Sequence, residues 1–429
     1  MPQSAFRASD ATPGAALSPG LAGVSPQTAS LRWGEESRHH LAEPGAYEWW
    51  YFHALSPTGD GILLSLFEGL PFHPKYLTQI NRYTHRLGAA QKPWPGLEAS
   101  LYPAAYMAVY QKGKRVSQFL NLYPPESSAG TATEIRVGPN RITLRQDGSF
   151  GIVARGYPYE LARGRPRKRA DQSLAADLTF TPTFPGIAHT RPFRAPDRTG
   201  AAHHWVLAAP HGRMTGGVRL LDTAQNESAF ELDVDTIGYH DHVYGQGGLA
   251  TGVKTLLWGF IQGDTWTAAW HQTLMGGLRR GTRAGAGGAA RGGARAGRGG
   301  GLDRADGLVF FEKDQLPVVI DAPEIRLSKS GFSNWLLRHP GRISMHGSDT
   351  HGHLVELLLT HTSTLDTAPF HTHLAAEGTV MLPGVDAHPL AGLGATHVLR
   401  LGRLRWPVLS DLTLLAITPV ARDDPIWSE

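Results

Sequence analysis

Arg141-Ile-Thr-Leu-Arg-Gln-Asp-Gly-Ser-Phe-Gly-Ile-Val-Ala-Arg155 decides the fold class of this chain. Two short apolar runs flank Asp147-Gly148. Asp-Gly between such runs marks a tight hairpin, because both central residues of the turn must accept positive φ. The same grammar extends in both directions. Residues 61–67, 105–110, 116–123 and 134–137 read as strands before it, with a turn-like Gln111-Lys-Gly-Lys-Arg115. Residues 255–261, 265–272, 308–311, 318–320, 353–360, 397–405 and 411–418 read as strands after it. No long stretch with helical periodicity stands out in either half. Successive hairpins of this kind roll into antiparallel barrels or sandwiches.

Composition agrees with many turns. The 429 residues include 51 glycines and 30 prolines, and 41% of them are apolar, enough for two domains with sizeable cores. With no cysteine, disulfides, zinc–thiolate sites, iron–sulfur clusters and cysteine nucleophiles are excluded. The formal net charge is +4, yet residues 276–301 alone carry six arginines and no acid. The remainder is therefore close to neutral, and no nucleic-acid face is expected. We expect a disordered leader over residues 1–30, a first β domain over 31–230 and a second over 231–429. The Gly/Arg-rich stretch 276–301 reads as a flexible insertion in the second domain. Arg163-Gly-Arg-Pro-Arg-Lys-Arg169 reads as a solvated loop, with attraction to anionic lipid headgroups the alternative. No signal peptide or membrane-length apolar run is found. The expectation is a cytoplasmic protein, with peripheral contact at the inner membrane face left open.

Three short motifs carry candidate chemistry. Tyr47-Glu-Trp-Trp-Tyr-Phe52 contains five aromatics in six residues. On a strand, Tyr47, Trp49 and Tyr51 share one face, and Glu48, Trp50 and Phe52 the other. One set can line a cavity while the other packs outward, or all of them can be core. Glu48, a carboxylate among rings, needs a partner or a raised pKa. His203 and Trp205 share a face at the start of an apolar run. Gly238-Tyr-His-Asp-His-Val-Tyr-Gly245 concentrates proton-handling groups, with Tyr239, Asp241 and Val243 on one face and His240, His242 and Tyr244 on the other. A polar strand-to-loop corner is the bland alternative. Trp258, Trp266 and Trp270, with His271, can offer ring faces to a pocket or simply fill the core.

The Tyr47–Phe52 motif, His203-x-Trp205 and Tyr239-x-Asp241, in that order, resemble the hydroxyneurosporene synthase (carotenoid 1,2-hydratase) family, related to the AttH-type lipocalin-like proteins. The resemblance covers roughly residues 31–275. It implies an all-β fold of two lipocalin-like barrel or sandwich domains packed together. It also implies hydration of a terminal C=C in an acyclic carotenoid or similar isoprenoid, with His203, Trp205, Tyr239 and Asp241 as the functional set. In that chemistry Asp241, neutral in an apolar pocket, protonates carbon. Tyr239 and His203 orient it or place the water. Aromatic faces such as Trp205, Trp49 and Trp50 hold the tertiary cation. Glu48, His242, Tyr244, Trp258 and Trp270 complete the expected substrate wall. The substrate is an apolar small molecule, and no metal or organic cofactor is needed. The His-Val-Tyr-Gly ending of the third motif departs from the Asn-containing continuation of the carotenoid enzymes.

Three other readings stay open. One is a non-enzymatic carrier of an apolar ligand, favoured if the pocket is sealed from Asp241. Another is a cyclase using the same protonation. The third is a metal site built on the His-x-His pairs 240/242, 351/353 and 371/373. His371-x-His373 with Glu377 and Gly384 matches part of the cupin first motif, although Leu365 stands where a glycine is expected.

Overall fold

The computed structural model describes residues 37–86, 96–162, 165–168, 171–184, 186–188, 193–194, 202–222, 227–275, 304–383 and 388–427. The leader and the Gly/Arg-rich stretch lie outside the described residues. The fold is all-β, built on two large curled sheets. The anticipated hairpins are present. Lys112 and Gly113 both take positive φ (50° and 71°), as a two-residue turn between residues 111 and 114 requires. At Asp147-Gly148 only the glycine does (81°). The loop there is longer, and Asp147 Oδ1 holds it by accepting from the Ser149 N–H at 2.9 Å.

In the first sheet β1 (Tyr47–Leu55) lies at the centre. On one side it pairs with Gly61–Glu68, which continues to Ala104–Gln111 and Lys114–Leu122. Two long strands, β2 (Ala202–Asp222) and β3 (Glu227–Gly245), follow on its other side, β3 being the neighbour of β1. The second sheet is centred on β4 (Val253–Gln262), flanked by Trp266–Met275 and by β6 (Leu390–Leu399), with β5 (His371–Met381) beyond β6. Each sheet curls around a core of its own. Trp50, Phe52, Leu64 and Phe180 are buried in the first, and Leu257, Trp270, Leu357 and Val398 in the second. A third core between the sheets joins Tyr47, Trp49, Tyr51 and Tyr239 of the first to Phe260, Val309 and Phe370 of the second.

Residue 230, where the sequence suggests a division, lies in β3, which continues to Gly245 and pairs with β1 over residues 238–245. The chain end also returns to the first sheet: Thr418–Pro419 pairs with residues 121–122, and Val420 and Ile426 bury in the first core. Residues 74–86 form a helix, α1 (Pro74–Arg86). Proline suits its first turn, and Tyr76, Leu77 and Ile80 make the buried stripe. The anticipated strand 411–418 is mostly a second helix, α2 (Pro407–Ala416), again opened by proline. A short apolar run reads equally as strand or buried helix, and here Pro407 is the deciding signal. The strand expected over 397–405 ends at Leu399, and a 3-10 turn follows over Leu401–Arg405.

Candidate active site

The period-two alternation of β1 and β3 builds the site. Their register sets Tyr51 opposite Asp241 and Trp50 opposite His242. Tyr47, Trp49, Tyr51, Tyr239 and Val243 therefore face the second sheet, while Trp50 and Phe52 face the first core. β2 approaches β3 through two register shifts, between Val206 and Ala209 and between Ala209 and Gly212. Bulges of this kind re-aim side chains. They bring Trp205 opposite Val243 and His203 opposite Gly245. Gly245 is required at that spot. A Cβ there would stand 2.6 Å from both His203 Nδ1 and Tyr47 Cε1, whose hydrogen bond of 2.8 Å (Tyr47 hydroxyl to His203 Nδ1) spans the gap.

Of the sequence-predicted set of four, Trp205, Tyr239 and Asp241 are hydrogen-bonded together on this face, while His203 bonds to Tyr47. Asp241 is fully buried. Its Oδ2 accepts from Trp205 Nε1 at 3.0 Å and from the Tyr239 hydroxyl at 2.9 Å. Its Oδ1 is buried with no hydrogen-bond partner among the described residues. Burial pushes the carboxyl up to about 6, against the opposing pull of the Trp205 and Tyr239 hydrogen bonds and of the His240 and His242 charges. Tyr239 stacks on Phe260 at 4.1 Å, and Trp205 meets the His271 ring edge-on at 4.9 Å. Both rings thus bind the first-sheet site to the second sheet.

A cavity of about 180 Å³ opens beside this set, between the sheets. Trp49, Tyr51, Trp258, Phe72 and Phe370 give it an apolar aromatic wall. Asp241, Tyr239, His203 and Trp205 are not among its lining residues; Tyr51, the register partner of Asp241, is. The Tyr51 hydroxyl meets His397 Nε2 at 2.7 Å, and His397 Nδ1 meets His371 Nε2 at 2.9 Å. All three line the cavity. Trp258 stacks on His397 at 4.3 Å. His53 and His373 close the cluster behind them, their rings 5.2 Å apart. Burial holds these imidazoles neutral, His53 at about 3, His371 at about 4, His373 and His397 well below the usual range. Elsewhere on the wall Arg115 is paired with Asp366, and the Tyr106 hydroxyl donates to the other Asp366 oxygen at 2.7 Å.

Five anticipated wall residues stand elsewhere. Glu48, Trp50, His242 and Tyr244 project from the opposite face of β1 and β3. Glu48 accepts from His242 Nε2 at 2.8 Å and from His39 Nδ1 at 2.7 Å. Burial alone would raise its carboxyl, but those two hydrogen bonds prevail and hold it at about 2. Trp50 stacks on His242 at 4.9 Å, and Tyr244 on His39 at 3.8 Å. Trp270 is fully buried in the second sheet's own core, on the face turned away from the cavity. Trp49 and Trp258 do line the cavity as expected. His39, Glu48 and His242 place two imidazole nitrogens and a carboxylate oxygen within 4.8 Å of one another, a donor set that suits a divalent metal. The cupin-like trio does not form, because Glu377 is exposed while His371 and His373 face inward. The sequence motifs do not single out Tyr51, Arg115, Asp366 or His397 as site residues. Face-sharing with Trp49 is a signal that points to Tyr51; Arg115 and Asp366 carry no local signal.

No protein-family model matches the chain. In sequence it is similar to a curated hydroxyneurosporene dehydrogenase of Chlorobaculum tepidum, 26% identical over 240 residues. That match takes in 52% of this chain and 56% of the relative, so it spans just over half the relative's length. In structure it is similar to an AttH-type protein of Nitrosomonas europaea, with 14% identity, a TM-score of 0.51, and coverage of 91% of this chain and 99% of that one. Kievitone hydratase from Nectria haematococca overlaps more loosely, at 10% identity and a TM-score of 0.45 over 85% of this chain and 94% of its own. The family resemblance read from the sequence therefore holds: the chain is similar to the hydroxyneurosporene protein and has the fold of the AttH-type protein.

Proposed function

We propose that this protein hydrates the terminal C=C of an acyclic, carotenoid-like isoprenoid, with Asp241 as the proton donor. The observation that carries the reading is Asp241 itself, a fully buried carboxyl held near 6, with one oxygen fixed by Trp205 and Tyr239 and the other without a partner. A carboxyl raised to about 6 keeps a protonated fraction near neutral pH that can protonate carbon. The alkene's electron pair takes its proton onto the less substituted carbon of the terminal C=C, which leaves a tertiary cation at the carbon that bears the two methyl groups. Water bonds to that cation and returns a proton to the carboxylate, so the sum is one water added. The faces of Trp49, Tyr51 and Trp258 supply the electron-rich wall that such a cation needs. Ligand pockets for whole small molecules span about 300–1,000 Å³. At about 180 Å³ this cavity suits one end of a long polyene, the end that reacts.

One observation favours a second reading, a carrier that binds an apolar ligand without chemistry. Tyr51 lines the cavity and Asp241 does not, so hydration requires the alkene to reach a carboxyl that the cavity does not expose. Expression in a lycopene- or neurosporene-producing bacterium separates the two. A hydroxylated pigment that disappears with Asp241→Asn, while the variant still folds, supports the hydratase. Unchanged pigment co-purifying equally with both forms makes the protein a carrier. A hydroxylated product at an unchanged rate in Asp241→Asn removes Asp241 from the mechanism.

A further inference from the structure

α2 and the short hairpin of residues 331–339 meet at one wall of the cavity, to which they contribute Leu412, Thr413, Ala416 and Trp335. Their outer side is unusual. Phe332, Leu336, Trp406, Val408 and Leu415 are between 53% and 73% exposed. These are large apolar side chains exposed on two segments that share a cavity wall, and exposed apolar surface of this kind marks an interaction site. Leu336 is also held at φ 55°, a left-handed conformation that a leucine resists. The chain keeps it there with the side chain turned to solvent.

Three arginines border the patch. Arg403 donates to the carbonyls of Trp335 at 2.8 Å and Leu336 at 3.1 Å. Arg400 donates to the Arg338 carbonyl at 3.1 Å. Burial first, and then the charges of Arg338 and Arg403, lower the affinity of Arg400 for its proton. Among the described residues no carboxylate pairs with any of the three. Asp411 is exposed on α2, one acid against this cluster. Arg165–Lys168, three cationic residues and a proline, pairs as a strand with residues 159–162 and lies beside α2.

We propose that this face docks on the surface of an anionic phospholipid bilayer, so that apolar ligand enters the cavity from the lipid. Aromatic and aliphatic side chains enter the boundary between headgroups and acyl chains, and the bordering arginines meet lipid phosphates. Charge complementarity selects this occupant over a second copy of the chain, whose identical arginines would have to approach one another. Among the described residues no helix is long and apolar enough to cross a membrane, so contact at this face would be interfacial. The inference is independent of turnover, because it concerns where the ligand comes from.

The test is co-sedimentation of the full chain with vesicles of phosphatidylcholine alone and of phosphatidylcholine mixed with phosphatidylglycerol. Binding should be strong on the mixed vesicles, weak on the neutral ones, and released by added salt. Arg338→Gln should weaken it about fivefold, the effect of one cation near an anionic surface. Trp406→Ser with Val408→Ser should weaken it at least about tenfold. Both sites are exposed, and thermal unfolding at the wild-type temperature verifies the fold. Equal binding to both vesicle types, binding to neither, or insensitivity to both variants overturns the proposal. So does a dimer in sedimentation velocity that the double variant converts to monomer, since the patch would then cover a second copy.

Discussion

Asp241→Asn should change how stability depends on pH. The folded carboxyl stands at about 6 against an ordinary 3.8, with burial the leading cause. That rise corresponds to about 3 kcal/mol between its neutral and ionised forms. The folded chain holds this proton more tightly than the unfolded chain does. The stability tied to it is therefore complete below about pH 3.8 and is lost as pH climbs through about 6. Roughly half of the 3 kcal/mol falls between about pH 5 and pH 8. Asparagine has no such titration. Its amide oxygen can still accept from Trp205 and Tyr239, while its amino group takes the place of an oxygen that has no partner. That second change costs about 1–3 kcal/mol and is the same at every pH. The informative quantity is thus the gap between variant and wild type, measured by urea unfolding across this range. It should move in favour of the variant by about 1.5 kcal/mol from pH 5 to pH 8. Parallel curves would mean that Asp241 titrates as an ordinary carboxyl, and the argument for a proton donor raised toward neutral pH would fail with it.

Glu48 should behave with the opposite sign. Its carboxyl is held at about 2 against 4.5, so its contribution is present above about 4.5 and lost as pH falls toward 2. Glu48→Gln should cost on the order of 3 kcal/mol at neutral pH, and acid unfolding should lose slope in that window; an unchanged acid transition would show that His39 and His242 do not hold the charge. At the cavity wall, Arg115→Met leaves Asp366 buried without its cation and should cost about 3–5 kcal/mol. Adding Asp366→Leu should recover most of that loss, and a double variant as unstable as the single one would refute the pairing.

The faces of the site strands are legible in the sequence. Alternation is a local property of extended backbone, so grouping Tyr239 with Asp241, and Trp50 with Phe52, needs only the period of two. The hairpin turns are legible for the same reason, since they depend on neighbours a few residues apart. The helices are less so, because residues 411–418 are apolar enough to read as a strand. Their starts are marked only by Pro74 and Pro407.

Which face becomes a cavity wall is decided by the way two sheets pack, and no local pattern carries that. Trp258 and Trp270, both on the second sheet, stand on opposite sides of it: one lines the cavity and the other fills the sheet's own core. Arg115 and Asp366 lie 251 residues apart and meet only when the sheets close on each other. Tyr51 and His397 are separated by 346 residues and become hydrogen-bonded in the same way. By itself the sequence determined an antiparallel β chain with Tyr239 and Asp241 on one face of a strand and His203 and Trp205 on one face of another. Tertiary structure decided that this face is buried against a second sheet, that its carboxyl is raised there to about 6, and that Tyr51, and not Asp241, lines the cavity. The physical reason is that burial, and with it the cost of charge, depends on contacts between distant parts of the chain.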